Sequence, residues 1–376
     1  MPISRRKFLV RGGQCVLMFG MLPGLWACDG HTRKEEIENA GYKALIATIG
    51  RERTDILWYA SFAPSSHNAQ PWMVTIKSPD KWIISSVEER WLPEVDPENR
   101  EMLLSIGAFL ENMVTAAKAY GFGVKIRRNA VSAFDPELLR LELTSGERQE
   151  YPLQRLLERR TLRTGFKSET IDPQDLSAIT GDEKGFSYYQ PLSSEAVWLD
   201  EATIEANRQQ VDRDNVQQEL SRWIRWSNAD ARKYRNGLTP EAMDITGLAG
   251  WYVKNFYGPG DVMGKDFRRA TVERVKQQIS ESGGWIVITS ESGSPASIIE
   301  TGRRFERMFL KAKDRSIGVH PMSQVLEEVP WSEEARKKLV LQKPPQFLLR
   351  VGYLRDYPLP VSLRMSLGEI TEVKVR

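Results

Sequence analysis

The sequence has few thiol and imidazole groups: it contains two cysteines and three histidines in 376 residues. Both cysteines, Cys15 and Cys28, lie in the first 28 residues, which we interpret below as an export signal. If that segment is processed and Cys28 is acylated, no free cysteine remains for a disulfide or for thiol catalysis. The histidines, His31, His67 and His320, are too few to build a multi-histidine metal site.

The sequence also lacks a strong net charge and a long hydrophobic run. Its formal charge of +3 is almost balanced, which argues against nucleic-acid binding. The apolar stretch 15–27 contains two glycines and a proline and is shorter than the roughly 20 residues that span a bilayer. With 41% hydrophobic and 27% charged residues, the rest of the chain has the composition of a soluble globular protein.

The first residues resemble an export signal. Ser4–Val10 reads Ser-Arg-Arg-Lys-Phe-Leu-Val and precedes the apolar stretch, and paired arginines followed by Phe-Leu resemble a twin-arginine signal. Leu25–Cys28 (Leu-Trp-Ala-Cys) resembles a lipobox, and Asp29 resembles an inner-membrane retention signal. We therefore expect export to the periplasmic side of the inner membrane and a lipid anchor on Cys28. The alternative is a disordered basic N-terminus with an incidental arginine pair.

The spacing of hydrophobic residues predicts an α+β protein. It predicts helices over 35–63, 97–120, 192–235 and 295–313, and strands over Met73–Lys77, Trp82–Val87, Val124–Arg127, Leu139–Leu143, Trp285–Thr289 and Phe347–Gly352. Residues 105–111 and 300–305 resemble each other, since each belongs to a helix that contains a glycine and is closed by a second glycine, which suggests an internal duplication. We expect helices around antiparallel sheets, with long central helices between them. The predicted boundaries are 1–28, 29–150 and 151–376.

A loop with an unusual density of hydrogen-bonding groups separates the first helical region from the first strand. Pro64–Trp72 reads Pro-Ser-Ser-His-Asn-Ala-Gln-Pro-Trp, so two hydroxyls and two carboxamides stand between two prolines. Uncharged groups of this kind can match the alternating donors and acceptors on the pyrimidine edge of a flavin. The alternative is a Ser- or Asn-based turn that caps a helix.

This loop resembles the nitroreductase signature Pro-Ser-Ser-x-Asn-x-Gln-Pro-Trp and matches it at every fixed position. In that family the loop lies against the isoalloxazine ring of FMN. The resemblance therefore implies the FMN-dependent nitroreductase fold and assigns the flavin ring to Pro64, Ser65, Ser66, Asn68 and Gln70. Alternatively, the last three residues of the loop mainly direct the chain into the strand that follows.

A second segment, Glu158–Phe166, contains three arginines and a hydroxyl within five residues, which suit a phosphate monoester. It resembles the nitroreductase Arg-Arg-Ser-x-Arg element, where arginine and hydroxyl hold the FMN phosphate. The matching residues are Arg159, Arg160, Thr161 and Arg163. Near the C-terminus, Arg364 resembles the basic residue that returns to the phosphate. The alternatives are a solvated basic helix face and an exposed arginine on a C-terminal arm.

The order of the two elements departs from that of a plain nitroreductase, because here the Pro-Ser-Ser loop comes first. This order resembles the fused, Acg-like branch, in which one chain mimics the family dimer and keeps one composite site. The resemblance implies a monomer with a first nitroreductase-like half at 29–150 and a second half at 151–376. His320–Gln324 would then belong to the degenerate second site, with His320 in a structural role.

The remaining polar residues do not lead to a catalytic assignment. Asp96–Glu101 could supply acid–base carboxylates, but a helix N-terminus with acidic residues in its first turn explains it better. The sequence also shows no convincing nucleophile with a neighbouring base. We therefore assign no catalytic side chain, because the N5 atom of the flavin carries the hydride chemistry.

These features predict an FMN oxidoreductase that reduces a small acceptor, either a quinone or a nitroaromatic compound. An exported protein would lack nicotinamide cofactors, so its electron donor would be a quinone or a redox protein. The alternatives are a protein that binds or sequesters flavin with little turnover, and a degenerate relative that binds no flavin.

Overall fold

The computed structural model describes residues 39–374, so the proposed export signal and Cys28 lie outside the described residues. The helices are α1 Ala40–Ile49, α2 Arg51–Ala60, α3 Arg100–Ala119, α4 Gln154–Glu158, α5 Pro173–Thr180, α6 Ser194–Asp212, α7 Asp214–Trp223, α8 Asn228–Tyr234, α9 Gly247–Phe256, α10 Lys265–Ser280, α11 Pro295–Asp314, α12 Gln324–Glu327, α13 Trp331–Lys338 and α14 Leu367–Ile370. The strands are β1 Trp72–Ser78, β2 Lys81–Ser86, β3 Phe122–Arg128, β4 Leu139–Ser145, β5 Phe186–Tyr189, β6 Trp285–Thr289, β7 Ile317–Pro321, β8 Pro345–Tyr353 and β9 Thr371–Val373. The predicted α+β class is confirmed.

The first sheet has the order β3-β4-β2-β1-β9. β1 and β2 form an antiparallel hairpin with Ile76 opposite Trp82, and alternate residues of β1 are buried. The edge strand β9 comes from the far C-terminus and runs parallel to β1, with Val74 opposite Thr371. The C-terminal strand β9 therefore completes the sheet that contains the first strand of the chain, β1.

The second sheet has the order β5-β6-β8-β7, and all of its pairs are antiparallel. Every residue of β6 is buried, because helices and loops cover both faces of this strand. A central strand covered on both faces reads as a continuous apolar run, Trp-Ile-Val-Ile-Thr, with no alternation.

The central helices α3 and α11 cross between the two sheets with their backbones in contact. A Cβ atom on Gly107 of α3 would lie 2.1 Å from the carbonyl oxygen of Ile299. A Cβ atom on Gly302 of α11 would lie 2.1 Å from the carbonyl oxygen of Leu104. Both glycines are required by this close approach, and their reciprocal contacts agree with the predicted internal repeat.

The predicted helices differ from the observed ones where the backbone must turn. The helical region before residue 63 is two helices, because Gly50 adopts φ 84°, a left-handed conformation that ends α1 and starts α2. The predicted helix over 192–235 is three helices, α6 to α8, with extended residues at Arg213 and Ile224. The sequence analysis missed β5, β7, β9, α9, α10, α12, α13 and α14. Among residues 39–374, no helix is long and apolar enough to cross a membrane.

Candidate functional site

The Pro64–Trp72 loop is held in a conformation that three of its residues adopt at a steric cost. His67, Asn68 and Gln70 have φ values of 49°, 52° and 53°, which non-glycine residues adopt infrequently. The Ser65 hydroxyl accepts a hydrogen bond from the Gln70 amide at 3.0 Å. At the loop exit, the buried Trp72 ring stacks on Phe109 of α3 at 4.7 Å. The loop is thus fixed both internally and by the core.

The carboxamides of the loop bind protein backbone. Asn68 Nδ2 donates to the carbonyl of Leu363 at 3.0 Å and to that of Gly237 at 3.2 Å. Gln70 Oε1 accepts from the Met365 amide at 2.9 Å. Both side chains are buried. They attach two distant segments, around residues 237 and 364, to the loop.

A cavity of 280 Å³ lies beside the loop, between the central helices and the second sheet. Its apolar wall includes Leu104 and Ala108 of α3, Phe305 of α11 and Phe347 of β8. Five of the predicted binding residues line it: Pro64, Ser65, Ser66, Thr161 and Arg163. The structure thus brings the start of the loop and the end of the arginine segment to one cavity. The predicted His320–Gln324 loop also lines it through His320, Pro321, Ser323 and Gln324.

The other five predicted residues, Asn68, Gln70, Arg159, Arg160 and Arg364, are not among the residues that line the cavity. Arg159 and Arg364 lie behind the loop, where Nη2 of each donates to the Phe62 carbonyl, at 2.8 and 2.9 Å. Arg364 Nη1 also donates to Asn68 Oδ1 at 3.2 Å. The binding roles of all five remain predictions, and in this structure their side chains have protein partners.

Arg159 and Arg364 share their buried position with an acid. Arg159 Nε lies 3.2 Å from Glu306 Oε1. Burial raises the pKa of the Glu306 carboxyl to about 7, although Arg159 acts in the opposite direction. Burial and the charge of Arg159 lower the pKa of Arg364 to about 9. The cluster thus places two guanidinium groups against one carboxyl group, and burial shifts the pKa of Glu306 and of Arg364 toward the neutral form.

The arginines nearer the cavity are organised by Asp244, which the sequence analysis did not single out. Its carboxylate accepts from Arg160 Nη2 at 2.7 Å through Oδ1 and from the Arg163 amide at 2.7 Å through Oδ2. Arg163 Nη1 donates to the carbonyl of Ala242 at 2.5 Å. Burial lowers the pKa of Arg163, with Asp244 acting in the opposite direction. We call Thr161, Arg163 and His320 the basic end of the cavity.

His320 at this end is a neutral imidazole. Its Nδ1 lies 3.3 Å from Arg350 Nη2, and burial followed by the charge of Arg350 lowers its pKa well below the usual value. His320 lines the cavity and could therefore also contact a ligand. The structural role predicted for it stays a prediction.

The opposite end of the cavity is acidic and was missed as a site. Glu101, in the first turn of α3, is buried, and Glu327, at the end of α12, is half-buried; both line the cavity, and their carboxyl groups hydrogen-bond to each other. Ser66 Oγ donates to Glu101 at 2.5 Å, and Gln210 Nε2 donates to Glu327 at 2.6 Å. We call Ser66, Glu101, Ser323 and Glu327 the acid end.

The acidic residues predicted at a helix N-terminus explain only part of this arrangement. Glu101 does lie in the first turn of α3, and Asp96 Oδ2 accepts from the Met102 amide at 2.9 Å. The sequence hinted at Glu101, because Asp96–Glu101 could supply acid–base carboxylates. It gave no hint of Glu327, because that residue belongs to a four-residue helix that no periodic pattern marks.

Two polar atoms of the cavity wall have no partner among the described residues: His67 Nδ1 and Gln324 Oε1. Burial lowers the pKa of His67 to about 4, so its ring is neutral near pH 7. A buried polar atom without a partner costs about 1–3 kcal/mol. Ligand atoms that alternate donors and acceptors would remove this cost, so the donor set fits a flavin. Within residues 39–374, no cluster of His, Cys, Asp and Glu could hold a metal ion.

No protein-family model matches the chain. It is 23% identical to the "Probable NAD(P)H nitroreductase PigM" of Serratia sp. over 329 residues, which cover 81% of this chain and 89% of that protein. It is also 23% identical to the "Putative NAD(P)H nitroreductase Rv3131" of Mycobacterium tuberculosis, over 84% of this chain and 90% of that protein. The crystal structure of the FMN-dependent nitroreductase NfnB from Mycobacterium smegmatis matches 58% of this chain and 96% of its own, with a TM-score of 0.38 and 15% identity.

The chain is thus similar in sequence to proteins named nitroreductases over about four fifths of its length. The resemblance to nitroreductases that the Pro64–Trp72 loop predicts thus extends over most of the chain. The names of these relatives also agree with the predicted oxidoreductase class. The Acg-like branch, the export signal and the lipid anchor stay predictions.

Proposed function

We propose that this chain is an FMN-dependent oxidoreductase of the nitroreductase type that reduces a small quinone or nitroaromatic acceptor. The observation that carries the proposal is the 280 Å³ cavity, which the signature loop bounds on one side and Thr161 and Arg163 bound on another. Thr161 and Arg163 would hold the phosphate through a hydroxyl and a guanidinium group. Pro64, Ser65 and Ser66 would lie against the ring.

Bound FMN supplies hydride transfer at its N5 atom, so no side-chain nucleophile is needed. The side chains of the cavity would bind and orient the cofactor and would exclude water from it. Phe305 and Phe347 provide an apolar wall, and Ser66 and the neutral His67 provide uncharged hydrogen-bonding groups. Polar and apolar residues share the cavity wall, so the cavity can both pack against a ring and hydrogen-bond to its polar edge.

The electron donor depends on where the protein resides. The relatives are named for NAD(P)H, which is not expected outside the cytoplasm. We propose export by the twin-arginine route and a lipid anchor on Cys28, with a quinone or a redox protein as the donor. In cell fractions, the intact protein should sediment with membranes, and a Cys28→Ala variant should not. Equal distribution of the two proteins would reject the anchor.

A second candidate function is flavin storage with little turnover, and one observation favours it. The segment around Gly237 and Leu238 lies over the signature loop: the Gly237 amide donates to the Asn68 carbonyl at 3.1 Å, and Leu238 lines the cavity. A segment so placed would cover a bound flavin and restrict the approach of an acceptor.

The experiment that tests the proposal is a measurement of the visible spectrum and FMN content of the purified full-length protein. Anaerobic reduction with dithionite and mixing with menadione would follow. One FMN per chain that menadione reoxidises rapidly supports the oxidoreductase. Bound FMN that menadione does not reoxidise supports storage. A protein that cannot be loaded with FMN would reject both functions.

A further inference from the structure

Two carboxyl groups at the acid end of the cavity form a pair whose chemistry the proposed function has not used. Glu101 comes from the first half of the chain and Glu327 from the second half, and their side chains hydrogen-bond to each other in the wall of the cavity. Two buried carboxylates in contact repel each other strongly, so such a pair retains one proton near neutral pH. The pair therefore holds an acidic proton next to the space that a ligand would occupy.

The surroundings of the pair decide which residue carries the proton. Three donors surround Glu101: the Arg100 guanidinium at 3.0 Å, the Ser66 hydroxyl at 2.5 Å, and the Ser323 hydroxyl. Burial opposes ionisation of Glu101, but Arg100 and these hydrogen bonds outweigh it and lower the pKa of that carboxyl.

Glu327 has weaker compensation. Among residues 39–374, the donor to Glu327 is the neutral amide of Gln210, from α6, at 2.6 Å, and Glu327 also contacts Glu101. Burial and the charge of Glu101 raise the pKa of Glu327 well above its usual value, with Arg100 a smaller opposing influence. Two other titratable groups face the pair. Asp96 has its pKa raised to about 7 by burial and by Glu101, and His67 is neutral.

We propose that Glu327 is the proton donor to the acceptor that this site reduces, and that Glu101 is a positioning residue that keeps the proton on Glu327. This inference rests on the proposed function. It also narrows the substrate class to acceptors that need a proton as well as electrons, such as a p-quinone.

The step balances in electrons and protons. Conversion of a p-quinone to its hydroquinone takes two electrons and two protons. With reduced flavin as the reductant, a hydride brings both electrons and the first proton. The O–H bond of the Glu327 carboxyl breaks, and a new O–H bond forms at the acceptor oxygen. Glu327 is left as a carboxylate beside Glu101, and their repulsion favours the return of a proton from water.

The test compares the full-length protein with Glu327→Gln, which keeps the size of the side chain and removes the acid. Glu333→Gln, on the exposed surface of α13, is the matched control. The first measurement needs no flavin. Other carboxyl groups with a raised pKa, such as Glu306 and Asp96, also contribute protonated C=O bands near pH 7. The infrared difference spectrum between the unaltered protein and Glu327→Gln should therefore be used, and it should contain the C=O stretching band of one protonated carboxyl group that the difference spectrum for Glu333→Gln lacks. A difference spectrum for Glu327→Gln without this band would overturn the proposal.

The second measurement uses two acceptors of different chemistry on the flavin-loaded protein. Menadione needs a proton, and ferricyanide takes one electron and no proton. Because general acid catalysis contributes about 100-fold or more, menadione reduction should fall by about 100-fold in Glu327→Gln while ferricyanide reduction is unchanged. In the unaltered protein, menadione reduction should decrease as the pH rises through the pKa of the pair, and Glu327→Gln should lack this decrease.

The outcomes separate this inference from the proposed function. Parallel loss of both activities in Glu327→Gln would show that the residue acts through folding or flavin binding, and would overturn the inference alone. Unchanged menadione reduction would also overturn it. Failure of the unaltered protein to bind FMN would reject the proposed function, and the infrared measurement would still decide whether the pair holds a proton.

Discussion

The two ends of the cavity solve the same physical problem in different ways. Each buries charged groups, and an isolated buried charge costs several kcal/mol unless it is compensated. The basic end keeps its positive charge: the Arg163 guanidinium donates to the carbonyl of Ala242, and the neighbouring Asp244 carboxylate, which also pairs with Arg160, favours its charged form. The acid end reduces its charge, because burial and the charge of Glu101 raise the pKa of Glu327 and so favour its protonated form.

The two ends should differ in how they respond to the pH and to anions in solution. An arginine with an aspartate partner keeps its charge across the neutral pH range, so the basic end should respond to competing anions and little to pH. A carboxyl pair that holds one proton loses it as the pH rises through the raised pKa of Glu327, so the acid end should respond to pH. This suggests that the basic end determines binding and the acid end determines proton transfer.

The largest effect should follow from removal of the guanidinium group at the basic end. Charge-assisted hydrogen bonds contribute about 1.5–3 kcal/mol each, so Arg163→Ala should weaken FMN binding by about 10- to 100-fold. Fluorescence titration with FMN would measure this. Riboflavin has no phosphate, so its affinity should change much less.

Arg315→Ala, at a half-exposed arginine that pairs with Asp175 far from the cavity, is the control and should bind FMN normally. Equal weakening of FMN and riboflavin binding in Arg163→Ala would contradict the assignment of the phosphate to the basic end.

A smaller effect of opposite sign is expected from Asp244. Its carboxylate places a negative charge beside the basic end, where a phosphate would bind, so Asp244→Asn should remove this repulsion while keeping an oxygen acceptor for Arg160. We expect FMN affinity to increase by up to about 10-fold, which corresponds to roughly 1.4 kcal/mol.

Stability must be followed at the same time, because the change also weakens a buried ion pair. Thermal denaturation of flavin-free Asp244→Asn should show a lower midpoint than the unaltered protein. A decrease in FMN affinity would mean that Asp244 supports the binding conformation and does not weaken phosphate binding.

The sequence predicted those parts of the site that local signals encode. The signature loop, its exit into β1 and the helices α3 and α11 follow from prolines, hydrophobic spacing and glycines within short stretches. The residue type alone could not say where the polar side chains of the loop point. Asn68 and Gln70 need hydrogen-bond partners whether they face a ligand or the backbone, and the structure gives them the backbone.

The parts that the sequence did not predict depend on contacts between distant segments. Asp244 binds Arg160, which lies 84 residues earlier in the chain. It directly follows the short helical turn Glu241–Met243 and itself adopts a left-handed φ of 56°. Glu327 meets Glu101 through the packing of the second half against the first. No periodicity or motif records such a meeting, because each residue is ordinary in its own segment.

The smallest effect, and the sharpest test of the comparison, is expected from Glu101→Gln. The charge of Glu101 contributes to the raised pKa of Glu327, and a neutral glutamine removes that contribution while burial remains. The pKa of Glu327 should therefore fall but stay above its usual value. If Glu327 donates the proton, the pH above which menadione reduction declines should move to lower pH in Glu101→Gln.

Near pH 7 the activity of Glu101→Gln should fall by less than that of Glu327→Gln, because the proton donor is still present and is only less often protonated. Glu98→Gln, at an exposed position just before α3, is the control and should leave the pH profile where it is. Menadione and ferricyanide again separate proton transfer from binding. A profile that does not move in Glu101→Gln would show that Glu101 does not set the protonation of Glu327. The acid end would then compensate its charge by fixed partners, as the basic end does.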